Sequence, residues 1–277
     1  MELTLQLGGS GVMLYYYLGV FRAIDLIFGK KNRKNIKIHG ISGGAIAACL
    51  YVCGVNMWTA KKFLQNRKLK KPFSVRRFPI YIKNILEKLD IGEDSHNKIQ
   101  NLETYYANAS LKLCSVDNES LNNKRNVIDS IVLSGYIFGL CGFNPYKVNK
   151  NIMGYDAGII TYYPLTAREA LSQENDVISV TPFSIFTCNK TICPRIRLPL
   201  TWGLSPKTTK NIEELGFFDT ISFFGEGVQI FNNKLKEINE KRTIIENEIK
   251  THITFVDIFF NNLVRFCWLI SQRLGIL

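Results

Sequence analysis

Twice within its first 55 residues the chain runs from an apolar, strand-like stretch through a glycine-rich break into a long apolar stretch. Leu3, Leu5 and Leu7 alternate with Thr4 and Gln6, Gly8-Gly9-Ser10-Gly11 interrupts them, and residues 12–28 continue as an apolar, helix-like segment. Ile36, Ile38 and Ile41 form a second short run, Gly40 to Gly44 make a sharp turn, and Ala45 to Val55 read as a helix of small residues. Parallel strands need a crossover between them, and helices supply it. Two such units therefore predict an α/β fold, a mainly parallel sheet covered by helices. With 277 residues, 46% of them hydrophobic and 12% aromatic, one sizeable core and a single domain over 1–277 are expected.

Farther along, the pattern is less regular. Residues 61–90 interleave Lys61-Lys62, Arg67-Lys68, Lys70-Lys71 and Arg76-Arg77 with Phe63, Leu64, Phe73, Phe78, Ile80 and Tyr81, and predict helices broken near Pro72 and Pro79. The polar stretches 92–101 and 115–126 are expected to be surface loops, and Ser130 to Ser134 bring back the core. Tyr155-Asp156-Ala157-Gly158 is a turn signal inside a strand-like region, and Val177 to Val180 read as another short strand. From Phe231 to His252, Leu235, Ile238, Ile245 and Ile249 have the spacing of an amphipathic helix, the start of a helical C-terminal extension over 231–277. The aromatics of residues 253–277 are interrupted by Asp257, Asn261, Asn262 and Arg265 well before about 20 apolar residues accumulate, so no membrane span is expected. A core-packed helix and an interfacial one both fit that segment.

Charge and cysteine usage bound the partners. The formal net charge of +12, from 35 Lys and Arg against 23 Asp and Glu, favours a polyanion, either nucleic acid or an anionic membrane surface, and also fits a generic basic surface. Of seven cysteines, Cys49 and Cys53, and Cys188 and Cys193, lie close together without the paired ligand blocks of a zinc site. Reduced thiols and no metal are expected. Met1-Glu2 leads into a short alternating stretch with no basic and apolar leader, which predicts an intracellular protein, cytoplasmic or peripheral to a membrane.

The chemistry centres on Gly40-Ile41-Ser42-Gly43-Gly44, a G-x-S-x-G match between an apolar strand and a helix of small residues. Glycines two before and two after the serine allow a tight turn that exposes its Oγ, and the helix behind it aims its N-terminal dipole at that oxygen. The same residues also suit a plain glycine turn whose serine caps the helix. Histidines stand at 39, 96 and 252. Ser42, Asp156 and His252 follow the order of an α/β-hydrolase triad, but only one strand-helix unit precedes Ser42, and His252 ends a charged helix as a surface residue. The remaining arrangement is a serine with an aspartate.

Three elements, in order and at similar intervals, resemble the patatin-like phospholipases. Gly9-Ser10-Gly11, running on to Leu18-Gly19-Val20, is similar to that family's oxyanion loop and following helix; Gly40 to Gly44 to its elbow; Asp156-Ala157-Gly158 to its aspartate turn. The resemblance covers about residues 3–185, and Val180-Thr181-Pro182-Phe183-Ser184 is similar to the adiponutrin-like branch. It implies a three-layer α/β/α fold and a lipid acyl hydrolase without metal or cofactor. Ser42 would be nucleophile and Asp156 general base, with Gly9, Ser10 and Gly11 giving oxyanion donors. Phospholipid or acylglycerol would be the substrate, met at a membrane or lipid surface. There are departures: the family usually has glycine at Leu14, often a basic residue at Met13, and glycine at Ala157. They motivate a second hypothesis, a weak or inactive lipid-binding relative. A third, a basic nucleic-acid-binding protein, rests on the net charge and on Lys61 to Arg77, without a recognition module. Oligomeric state is not legible.

Overall fold

The computed structural model describes residues 3–10, 13–56, 59, 61–62, 78–88, 101–110, 112–117, 124–137, 141–159, 177–182, 190–196, 198, 205–225, 235–251 and 253. The chain has the expected mixed α/β fold, with helices on both sides of a central sheet. Its elements are β1 (Leu3–Leu7), α1 (Leu14–Phe28), a 3-10 helix (Lys30–Asn35), β2 (Ile36–Ile41), α2 (Gly43–Val52), α3 (Phe78–Lys88), β3 (Leu102–Asn108), β4 (Leu113–Asp117), α4 (Lys124–Ser134), β5 (Tyr146–Lys147), β6 (Met153–Asp156), a 3-10 turn (Ala157–Ile159), β7 (Val177–Val180), β8 (Thr191–Ile192), α5 (Pro206–Gly225) and α6 (Leu235–Lys250). They fall into two compact units, one of Met1–Gly9 and Arg33–Ile178, the other of Ser10–Asn32 and Ser179–Leu277.

In the first unit β1 pairs parallel with β2 from Leu3↔Ile36 to Leu7↔Gly40, and β2 pairs parallel with β3 from Ile38↔Leu102 to Ile41↔Tyr105. Leu3, Leu5, Leu7 and even Gln6 are buried, as suits a strand covered on both faces. Three strands run antiparallel: β4 along β3 from Glu103↔Asp117 to Ala107↔Leu113, β6 on β3 from Tyr106↔Asp156 to Asn108↔Gly154, and β5 on β6. Because β4 occupies one edge of β3, β2 and β6 share the other, end to end. Ile41 of β2 faces Tyr105, and Asp156 of β6 faces the next residue, Tyr106. Every residue of α2 is buried, and its alanines let it lie close to β2 and β3.

Several boundaries differ from expectation for identifiable reasons. Helix α2 starts at Gly43, directly behind Ser42, because Gly44 can approach the strand backbone where a side chain cannot. Within 115–126, expected as a loop, residues up to Asp117 belong to β4 and residues from Lys124 to α4. Val116 is buried and Ser115 is exposed, and with Ser115 and Asp117 in so short a strand β4 resembles a loop in composition. Pro79 lies in the first turn of α3, where its missing N–H is harmless, so it opens that helix rather than breaking it. Pro72, residues 92–100 and the region 254–277 lie outside the described residues.

The second unit is built around α1 and α5, which touch backbone to backbone. A Cβ on Gly19 would run into the Glu213 carbonyl, and one on Gly216 into the carbonyl of Tyr16. Strand β7 pairs parallel with β8 through Ser179↔Thr191 and Val180↔Ile192. Helix α6 packs on α5 through Ile245 and Ile249, and the gap in its apolar stripe is filled by buried Arg242. Arg242 pairs with Asp219 of α5 at 2.5 Å and with Glu246 at 3.2 Å, while Tyr16 donates to Asp219 at 2.7 Å. Burial pushes the Asp219 carboxyl up to about 7 against the opposing pull of Arg242. Arg242→Met should therefore cost about 3 kcal/mol in denaturant unfolding at pH 8.5 and less at pH 6, where Asp219 can protonate; Asp219→Asn in the same chain should restore most of it. Among the described residues no helix is long and apolar enough to cross a membrane.

Candidate active site

The site begins where β2 stops. Ser42 takes φ 55 and ψ −124, and among the described residues no other non-glycine residue has positive φ. A side chain there costs of order 1–3 kcal/mol, which surrounding structure must offset. The glycines of the turn explain how: a Cβ on Gly40 would lie 2.5 Å from Ala45 Cα, and one on Gly44 would lie 2.6 Å from the carbonyl oxygens of both Leu7 and Gly8. The helix thus starts pressed against the ends of two strands, and the chain can reach it only by a sharp turn. Ser42 occupies the N-cap position of α2, yet its side chain makes no capping bond. Its Oγ instead donates to Asp156 Oδ2 at 2.7 Å.

Asp156 stands at the end of β6, on the rung of β3 next to that of Ile41, which explains how residues 114 positions apart come into contact. Its Oδ1 accepts from Gly158 N–H at 2.6 Å, and its own N–H donates to the Tyr136 carbonyl at 2.8 Å. Burial raises the carboxyl from an ordinary 3.8 to about 6, against the opposing hydrogen bonds from Ser42 and Gly158. Ala157 is fully buried against Ile41 and Tyr105, so the methyl group standing where the resembled family has glycine fills core space. A Cβ on Gly158 would come within 2.9 Å of Asp156 Oδ1, so this position requires glycine to make its bond.

Of the expected oxyanion residues, Gly9 lies beside Ser42: a Cβ added there would sit 3.7 Å from the Ser42 Cβ. Ser10, in the second unit, is buried and accepts through its carbonyl from Met13 N–H at 2.9 Å. Gly11 is outside the described residues. Met13 and Leu14, the two departures at the start of α1, are buried apolar side chains. His39 is a buried residue of β2, its Nδ1 3.1 Å from Tyr105 Oη and 3.3 Å from Glu103 Oε2, whereas His96 and His252 lie outside the described residues. Among the described residues no group of three or more His, Cys, Asp or Glu could hold a metal ion.

Two residues of the site carry no signal in the sequence. Ser134, the last residue of α4, accepts from Ser42 N–H, and Tyr136 supplies the carbonyl for Asp156 N–H. Neither sits in a motif. Ser134 closes an apolar run that reads simply as core, and only the packing of α4 against α2, β3 and β6 brings it to the main chain of Ser42.

No family model matches the sequence, and no curated protein matches it. Solved structures do. VipD from Legionella pneumophila superposes with a TM-score of 0.54 at 12% sequence identity, covering 81% of this chain and 67% of VipD. The type III effector protein ExoU covers 81% of this chain and 53% of its own length at 10% identity, with a TM-score of 0.43. The likeness to VipD is one of fold.

Proposed function

We propose that this chain is a patatin-like lipid acyl hydrolase that cleaves fatty-acyl esters of phospholipid or acylglycerol through Ser42 and Asp156. The observation that carries the reading is the 2.7 Å hydrogen bond from Ser42 Oγ to a buried carboxylate whose pKa is pushed up to about 6. An ordinary carboxylate is a poor base for a hydroxyl, and burial brings this one nearer to the task. The strained turn and the fold shared with VipD support the same reading.

The reaction would proceed in two halves. Asp156 takes the Ser42 proton as Oγ bonds to the ester carbonyl carbon, the carbonyl oxygen gains negative charge, and the proton passes to the leaving alcohol as the C–O bond breaks. Water then adds to the acyl-enzyme, giving its proton to Asp156, and the fatty acid leaves with Ser42 restored. The oxyanion donors carried over from the resemblance are the backbone N–H groups of Gly9, Ser10 and Gly11, each such donor being worth about 2.7–4 kcal/mol. No metal or cofactor enters any step. The net charge of +12 favours docking on anionic lipid, at about 1 kcal/mol per basic residue near the surface.

Fatty-acid release from mixed phosphatidylcholine and phosphatidylglycerol vesicles and from a triacylglycerol emulsion tests the reading. Labelling by a serine-directed fluorophosphonate should map to Ser42. Turnover with that labelling is the expected result; vesicle binding without turnover would favour the inactive lipid-binding relative. The pH profile gives a sharper expectation: Asp156 must be ionised to act, so kcat/KM should rise about tenfold per pH unit at low pH and level off near pH 6. A limb that levels off near pH 4 would mean that an unperturbed carboxylate, and not Asp156 in its buried setting, is the base.

A further inference from the structure

The C-terminal end of α4 holds the main chain of both reacting residues. Ser42 N–H donates to Ser134 Oγ at 2.8 Å, and two residues on, the Tyr136 carbonyl accepts from Asp156 N–H at 2.8 Å. The Ser134 hydroxyl in turn donates a hydrogen bond to the Tyr105 carbonyl of β3 at 2.7 Å, and the residue is fully buried. One hydroxyl thus acts as acceptor and donor in the gap where β2 leaves the sheet. A buried backbone N–H without a partner is costly, and at φ 55 the chain has already turned away from the ladder that would otherwise satisfy it.

We infer that Ser134 is the positioning residue of the nucleophile. Its hydroxyl ties the Ser42 main chain to β3 in the strained conformation and thereby sets the distance from Oγ to Asp156. Tyr136 does the same for Asp156 through its carbonyl, so a single helix end governs both halves of the contact. The kinetic consequence rests on the hydrolase reading; the geometric one does not. Ser134 touches no reacting atom, and its effect passes entirely through the backbone of Ser42.

The test uses the full chain, a soluble short-chain p-nitrophenyl ester to remove lipid-interface effects, and the variants Ser134→Ala, Ser134→Val and Ser134→Thr. Loss of the hydroxyl should lower kcat by about 10- to 100-fold with KM within about twofold, because a displacement of about 1 Å at a nucleophile has effects of that size. The rate of fluorophosphonate labelling at Ser42 should fall in parallel. Ser134→Thr, which keeps the hydroxyl, should recover most of both. A folded Ser134→Ala chain with unchanged kcat and labelling rate, differing only in its thermal midpoint, would overturn the inference. If Ser134→Ala does not fold, Ser134→Cys, which fills the space with a weak acceptor, carries the same comparison. If the wild type is inert toward every ester, the hydrolase reading fails, and a crystal structure of Ser134→Ala decides: positive φ at Ser42 with the 2.7 Å contact intact overturns the positioning role, and a displaced Oγ supports it.

Discussion

Ser42→Ala should reduce fatty-acid release by about 10⁴-fold or more while the chain remains folded. The substitution deletes one oxygen and leaves a Cβ that the turn already accommodates at φ 55. The glycines, the Ser134 bridge and the bonds of Asp156 to Gly158 and Tyr136 do not depend on Oγ; only the bond from Oγ to Asp156 is lost. On the proposed mechanism nothing replaces Ser42, since among the described residues no other hydroxyl is bonded to Asp156. The measurement is fatty-acid release per folded molecule, with circular dichroism and a thermal melt as controls. Retention of more than about a tenth of wild-type activity would place the chemistry elsewhere in the chain.

Asp156→Asn should lower the same rate by about 10³- to 10⁴-fold and raise stability at the same time. An amide has the shape of the carboxylate but takes no proton from Ser42. The stability effect follows from burial. The folded carboxyl titrates at about 6 against 3.8 in the unfolded chain, so between those values the folded state keeps a proton that the unfolded state has released. Wild-type stability therefore falls as pH rises from about 4 to 6 and stays lower above that window, a cost of about 3 kcal/mol. Asparagine carries no charge and escapes this cost, though it gives up one hydrogen bond worth about 1 kcal/mol. Denaturant unfolding at pH 7 should show Asp156→Asn more stable by about 1–2 kcal/mol, and the difference should vanish near pH 4. A variant that loses activity together with stability at pH 7 would mark Asp156 as a structural residue.

Residues whose identity is forced by close approach were legible in the sequence. Gly40, Gly44 and Gly158 stand where a Cβ would strike backbone or a carboxylate, so no other side chain serves there, and the turns around Ser42 and Asp156 could be found from them. The parallel arrangement of β1 and β2 followed from the two strand-turn-helix units. What stayed hidden is polar or depends on distant packing. Helix α5 gave no apolar stripe to read, because Thr208, Thr209, Asn211, Asp219 and Thr220 are among its buried residues. In α6 the stripe is interrupted by Arg242, which belongs inside only because Asp219 awaits it on another helix. Strand β4 looked like a loop because Ser115 and Asp117 give so short a strand a polar composition. Ser134 is one serine among many until the sheet is assembled, and no local pattern distinguishes a hydroxyl that will meet a backbone N–H 92 residues away.

The end-to-end placement of β2 and β6 along one edge of β3 bears on how this protein comes to life. A nascent chain that has joined its first three parallel strands already owns the serine turn, but the carboxylate waits on a strand that must travel back and lie antiparallel beyond the tip of β2. Until it docks, the Ser42 hydroxyl has no carboxylate to donate to. The contact between them is complete only when β6 has joined the sheet, so on the proposed mechanism a molecule still lacking that strand would leave a bilayer's lipids whole.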